Sequence, residues 1–260
     1  MDDDFTEFRG IAERMADAAR DVTLRHFRTE LRIDSKRSDF DPVTAADREA
    51  EAAMRAILAE TRPDDGILGE EAATVAGTSR WTWVLDPIDG TRAFISGMPT
   101  WGVLIALCDA GGPRLGLIDQ PFTGERFAGG PGVAAWTRGD AARALGVRGT
   151  TELAEATILT TFPEVGTEAE AAAFHRVARA CRLTRYGMDC YAYALLAAGH
   201  VDLVIEAGLQ AYDICAPIAV IEAAGGIVTD WQGGPAHDGG TALAAATPEL
   251  HAAAMDLLNG

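Results

Sequence analysis

The sequence predicts a mixed α/β fold in which an N-terminal lobe built on an antiparallel sheet is followed by a lobe of alternating helices and strands. Three observations predict it. β-type segments crowd residues 101–136, with Gly and Pro between them. Helical and strand patterns alternate after about residue 157. Nearly half of the 260 residues (48%) are hydrophobic, enough for a chain of this length to bury a sizeable core.

Taken in order, apolar residues at Phe5, Phe8, Ile11, Met15, Ala19 and Val22 recur at helical spacing, so the stretch from Phe5 to Phe27 is a helix with one inward face. A polar loop, Asp34 to Asp41, follows. Thr44 opens a second helix, with Ala50, Met54, Ile57 and Leu58 inward and Pro63 beyond its end. Two short strands come next. Residues 66–69 run straight into Glu70-Glu71, and residues 81–85 run straight into Asp86. Residues 101–108, 114–118, 125–128 and 133–136 then read as an antiparallel meander. In the second half, strands are predicted over 157–161, 183–186, 201–206 and 226–229, and helices over 168–181, 191–198 and 213–224. We expect one domain, 1–260, with lobes of about 1–145 and 146–260 that meet near Asp140–Thr150 without a flexible linker. There is no internal repeat and no low-complexity tract.

Composition excludes several classes of function. A net charge of -17 argues against nucleic acid and against an anionic membrane surface as partners. It suits a protein that concentrates cations, although a solvated acidic surface accounts for most of the carboxylates. The longest apolar run, near Gly102–Cys108, is strand-sized and too short to span a membrane. The acidic start, Met1-Asp2-Asp3-Asp4, has neither the basic region nor the apolar core of a secretory signal, so a cytoplasmic location is expected. Cys108, Cys181, Cys190 and Cys215 form no CxxC pair and read as buried free thiols. The five histidines lack zinc-ligand spacing. Lys36 is the only lysine among 22 basic residues, and chance explains its survival at least as well as function does.

The chemistry gathers around Trp83-Val84-Leu85-Asp86-Pro87-Ile88-Asp89-Gly90-Thr91. An apolar strand ends in one carboxylate, and a second follows across a turn set by Pro87. Two carboxylates so close repel unless a cation lies between them, and oxygen ligands suit Mg²⁺. Gly90 lets backbone approach a ligand closely, and the N–H groups at the start of the short helix that follows can hold a phosphate. Taken alone, this reads better as an ordinary turn with an Asp cap. Glu70 is equally a solvated loop acid. Asp213 is equally the N-cap of the helix after it, and Thr44 with Asp47 is equally a capping box.

Together, four pieces change the balance: Asp41-Pro42-Val43-Thr44-Ala45-Ala46-Asp47, Gly69-Glu70-Glu71, Asp86 to Thr91, and Tyr212-Asp213 followed by Glu222-Ala223-Ala224-Gly225-Gly226. In this order they resemble the inositol monophosphatase family, part of the lithium-sensitive, metal-dependent phosphatases that include the fructose-1,6-bisphosphatases. The resemblance runs from Lys36 to Gly226 and rests most on the Asp86–Thr91 string. It implies a layered α-β-α-β-α sandwich and a Mg²⁺-dependent hydrolase of small phosphate monoesters, active as a homodimer. It also implies roles. Glu70, Asp86 and the carbonyl of Ile88 hold one Mg²⁺; Asp86, Asp89 and Asp213 hold a second; a third, weaker ion leans on Glu70. Gly90 and Thr91 bind phosphate, with Lys36 near it, while Thr91 and Asp47 orient and deprotonate the attacking water.

Within the family the substrate is read from departures. Tyr212 stands where Trp is usual and Ala93 where Asn is frequent. The segment Arg185 to Tyr193 and the run Gly199 to Glu206 are similar to the branch that hydrolyses L-histidinol phosphate in histidine biosynthesis. That substrate carries an amine and an imidazole where inositol phosphate carries hydroxyls. Asp189, Glu206 and Asp213 can pair with a cationic group, and Arg185 lies in the same segment. Asp189 is equally placed to cap the helix after it. Inositol 1-phosphate is the nearest rival substrate. An adenosine bisphosphate is disfavoured by the few basic residues near the motifs. A catalytically inactive, regulatory relative would have lost a metal carboxylate, and none is lost. No GxSxG or P-loop string supports a metal-independent hydrolase.

Overall fold

The computed structural model describes residues 5–30, 34–35 and 42–260; Lys36 and Asp41 lie outside them. Helix α1 (Phe5–His26), the two-residue strands β1 (Asp34–Ser35) and β2 (Pro42–Val43), and helix α2 (Ala45–Thr61) come first. Strands β3 (Gly66–Gly69) and β4 (Thr82–Asp89) and the short helix α3 (Thr91–Ile95) follow. A meander then runs through β5 (Gly102–Asp109), β6 (Gly112–Gln120), β7 (Glu125–Gly130), β8 (Val133–Arg138) and β9 (Ala141–Ala144). The rest comprises β10 (Thr157–Thr160), α4 (Glu168–Ala180), β11 (Leu183–Tyr186), α5 (Cys190–Ala197), β12 (Leu203–Gln210), α6 (Ala211–Ala223), β13 (Ile227–Thr229), β14 (Gly239–Ala245) and α7 (Pro248–Asn259).

The larger sheet runs β3 to β9 in chain order, all antiparallel except the β3–β4 pair. The smaller sheet is mixed, with order β11-β10-β12-β14-β13. Both are buried on two faces, and strand periodicity explains how. In β5, Val103, Ile105 and Leu107 pack with α1 and α2, while Leu104 and Ala106 pack with α5 and α6. In β12, Val204 faces that same middle pair, and Leu203 and Ile205 face α4 and α7. The molecule is therefore five layers deep: α1 and α2, the larger sheet, α5 and α6, the smaller sheet, α4 and α7. This is the α-β-α-β-α sandwich.

Helix α6 is the middle of the stack, apolar along almost its whole length. It lies directly on the larger sheet because two strand positions lack side chains. A Cβ at Gly116 would sit 2.3 Å from the Ala216 carbonyl oxygen, and one at Gly129 would sit 2.4 Å from Val220 Cα.

The structure departs from the predicted pattern in definite places. β4 does not stop at Leu85 for a turn. It pairs with β5 at Asp86↔Leu104, bulges over Pro87-Ile88, and pairs again at Asp89↔Gly102. Pro87 has no N–H for the ladder, and a bulge accommodates that loss without ending the strand. β12 continues past Glu206 to Gln210 through a second irregularity, where Gly208 takes φ of 82°. β9, β14 and α7 have no predicted counterpart. The Ala-rich β9 and the Gly- and Ala-rich β14 are poor in the β-branched residues of the other strands, and α7 is set by the Thr247 N-cap and Pro248.

Candidate active site

Three elements aim carboxylates at one point. Asp86 lies on the same face of β4 as Val84, toward the middle helical layer, and is 1% exposed. Asp89 follows the bulge. Asp213 comes from the first turn of α6. One oxygen from each of these three lies within 4.8 Å of the others. Local bonds hold them there. Asp86 Oδ1 accepts from the Ile88 N–H (3.0 Å), Asp89 Oδ2 from the Cys190 N–H (2.6 Å) and Asp213 Oδ2 from the Gln210 N–H (2.7 Å). This last bond corrects the expectation that Asp213 is a helix N-cap. α6 begins two residues earlier, Gln210 is the N-cap, and Asp213 is the third helical residue.

The electrostatics demand a cation or protons. Burial pushes the Asp86 carboxyl well above the carboxylate range, and the charges of Glu70, Asp89 and Asp213 push it further. Burial does the same for Asp89, followed by the charges of Asp189 and Asp213. These all-oxygen donors suit a hard divalent cation such as Mg²⁺.

On one flank, Asp47 and Thr91 meet. Asp47 Oδ2 accepts from the Thr44 N–H (2.9 Å) and the Thr44 hydroxyl (2.6 Å), completing the capping box of α2. Thr91 Oγ1 donates to the Ile88 carbonyl at 3.1 Å and reaches Asp47 Oδ1 at 3.4 Å. Gly90 precedes α3 in the left-handed region, with φ of 80°. A Cβ there would meet Asp189 Cγ at 2.7 Å, so only glycine fits. Glu70 sits beyond the end of β3, its N–H donating to the Leu85 carbonyl (3.2 Å). Glu51, which the sequence did not single out, fixes the loop that carries it. Its fully buried carboxylate accepts from the N–H groups of Glu71 (2.7 Å) and Ala72 (3.0 Å) and pairs with Arg55 at 2.7 Å.

A cavity of about 660 Å³ opens over these groups. Its wall includes Glu70, Asp89, Gly90, Thr91 and Asp213 together with Thr161, Phe162, Asp189, Tyr193 and Glu206. Asp189 occupies the N-cap position of α5, yet its side chain makes no capping bond. It accepts instead from the Thr100 hydroxyl at 3.1 Å, so of its two readings the capping one is set aside. The residue takes φ of 46°, a costly conformation for a side chain other than Gly, Asn or Asp. Burial pushes its carboxyl up to about 6, against the Thr100 bond and the Arg92 charge. Glu206 is 6% exposed and accepts from the Thr161 N–H (2.6 Å), the Thr161 hydroxyl (2.9 Å) and the Thr160 hydroxyl (3.1 Å). Burial outweighs these bonds and pushes it up to about 7. Arg185 does not join them. It is exposed on β11, the edge strand of the smaller sheet, and is not part of the cavity wall. The cysteines also differ from expectation: all four are free, but Cys108 and Cys181 are only partly buried. No helix among the described residues is long and apolar enough to cross a membrane.

The five-layered sandwich with oxygen ligands converging between its sheets is the architecture of a metal-dependent phosphomonoesterase. Comparison with known proteins agrees: the model of the inositol monophosphatase family matches residues 4–259. The chain belongs to the inositol monophosphatase family, whose members are metal-dependent phosphomonoesterases. It is 43% identical to the bifunctional phosphatase IMPL2 of Arabidopsis thaliana, over 89% of this chain and 66% of that protein. It is 35% identical to the histidinol-phosphatase of Mycobacterium tuberculosis, over 90% of this chain and 91% of that protein. Among solved structures, an inositol monophosphatase from Zymomonas mobilis superposes with a TM-score of 0.88 at 41% identity, covering 99% of this chain and all of that one (100%).

Proposed function

We propose that this phosphatase acts on L-histidinol phosphate, releasing L-histidinol and phosphate. The observation that carries the substrate reading is a pair of carboxylates, the half-buried Asp189 and the buried Glu206, in the wall of the cavity that also holds Asp89 and Asp213. Acids in that position suit an ammonium or imidazolium group on the leaving alcohol, whereas inositol offers only hydroxyls. The relatives named histidinol-phosphatase support the same reading.

In this reading Glu70, Asp86, Asp89 and Asp213, with the Ile88 carbonyl, hold two to three Mg²⁺. Bound there, the ions supply an acidic water and neutralise charge on the phosphoryl oxygens. The residues of the chain do the rest. Gly90 and Thr91 hold the phosphate through backbone N–H groups, and Lys36, outside the described residues, is assigned to it by family resemblance alone. Asp47 takes the proton of the attacking water, and the Thr91 hydroxyl between Ile88 and Asp47 orients that water. Asp213 lies on the leaving-group side, with Asp189 and Glu206 beside it as partners of the substrate cation. We further propose that the chain acts as a single domain, as a homodimer, and in the cytoplasm.

The test is a kinetic panel of histidinol phosphate, inositol 1-phosphate and glycerol 2-phosphate with Mg²⁺ varied and an EDTA control. Histidinol phosphate should show the highest kcat/KM, and EDTA should abolish turnover. Asp189→Asn should weaken turnover of histidinol phosphate about tenfold more than that of glycerol 2-phosphate, the worth of one hydrogen bond to a charged group. Equal losses on both would remove the basis for the assignment. The rival, inositol 1-phosphate, is favoured by the inositol monophosphatase at 41% identity. A higher kcat/KM on that substrate would establish it.

A further inference from the structure

Tyr193 is a buried phenol with an unused oxygen. It is 3% exposed, and its Oη has no hydrogen-bond partner. Buried tyrosine hydroxyls usually find one. Its neighbour on α5 shows the contrast, since Tyr191 Oη donates to Glu125 Oε2 at 2.5 Å. Helix α5 is otherwise built of Ala, Leu and Cys, among which phenylalanine would pack as well as tyrosine without the orphaned oxygen. Tyr193 belongs instead to the cavity wall, with Asp189 and Glu206. Burial acts most on its hydroxyl, followed by the charges of three cavity carboxylates, Glu206, Asp89 and Asp213.

We propose that Tyr193 is a specificity-determining residue for the leaving group, its phenol oxygen accepting a hydrogen bond from an ammonium N–H of the substrate beside Glu206. A neutral hydroxyl among carboxylates has a distinct use. It supplies a third oxygen to a three-donor cation without adding another charge to a wall that already repels itself. The inference rests on the amino-alcohol phosphate reading above and assigns to it a residue that packing alone does not require.

The experiment compares wild type with Tyr193→Phe, both Mg²⁺-loaded, on histidinol phosphate and glycerol 2-phosphate, with L-histidinol as a product inhibitor. The variant should raise KM for histidinol phosphate and the inhibition constant of L-histidinol roughly tenfold relative to the change on glycerol 2-phosphate. Its melting temperature should not fall, because the substitution removes an unpartnered oxygen. If the variant does not fold, Tyr193→Met is read by the same ratio. Parallel changes on both substrates, or an unchanged ratio, would overturn the role of Tyr193. A wild-type enzyme that prefers inositol 1-phosphate would instead overturn the substrate reading, and this inference with it. A wild type that prefers histidinol phosphate, paired with a variant that keeps that preference, sinks only the part given to Tyr193.

Discussion

Glu206 shows what burying a single carboxylate in this cavity costs. Its carboxyl ionises at about 7 in the folded chain, against 4.5 for an ordinary glutamate. The folded state therefore keeps a proton that the unfolded state releases between those two values. Stability of the metal-free protein must fall as pH rises through that window, and the loss is complete above the folded value. The contribution is on the order of a few kcal/mol. Thermal melts in EDTA at pH 5 and pH 8 should show the drop, and Glu206→Gln should flatten it. The same slope in both proteins would show that Glu206 is not its source. At this scale much was legible. Asp86, Asp89, Glu70 and Asp213 stand out because acids directly beside apolar strands and helices are costly unless they do something. Glu51, Thr100 and Tyr193 were not, since their partners lie 20 to 89 residues away or are lacking altogether. Arg185 failed for the opposite reason: sharing a segment with Asp189 did not bring it to the same surface.

Among the elements, α6 is the most constrained. It carries Asp213 and rests on Gly116 and Gly129 with no room for a methyl group. Gly116→Ala and Gly129→Ala should each cost about 1–3 kcal/mol by overpacking and should depress Mg²⁺-dependent activity by moving the first turn of α6. Gly10→Ala is the contrast. That glycine lies in α1 with nothing within 4 Å of a built Cβ, so the change should stabilise by about 0.5–1 kcal/mol. Urea denaturation of the three variants checks both signs. A destabilised Gly10→Ala or a neutral Gly116→Ala would contradict the packing described here. The first two helices were legible from their period, and the second also from its cap at Thr44. The extension of β4 through Pro87 was not, because the pairing that sustains it comes from β5 and is invisible in the segment itself. β14 was missed because its Gly and Ala residues carry little strand signal, whereas α7 has a cap at Thr247 and apolar residues at Leu250, Ala254 and Leu258 that were passed over.

For the whole molecule, a divalent cation held by the acidic cluster would make folding and metal binding one equilibrium. Mg²⁺ bound only by the folded state should stabilise it by about 2.7 kcal/mol at one hundred times its Kd. Calorimetry with and without Mg²⁺ should show the rise in melting temperature. Asp86→Asn should abolish that rise and lower kcat/KM by at least about 100-fold. It should also leave the metal-free protein no less stable, since it relieves a buried like-charge contact. An Asp86→Asn protein with full activity would refute the metal assignment. The layered plan explains why so distributed a site holds its shape. Asp86 and Asp89 on the larger sheet and Asp213 on α6 are set by the apolar packing between those layers, and the loop that carries Glu70 is fixed by Glu51.

Asp47 and Glu51 lie one turn apart on a single face of α2, both buried, one gripping Thr44 and facing Thr91, the other clamping the loop behind Glu70. The spacing is thus a gauge length. Inserting one alanine between them would swing one carboxylate roughly 100° around the helix axis away from the other. Such an insertion should silence the enzyme even if the core re-formed, whereas an insertion of equal size at the exposed turn around Gly139 should be absorbed.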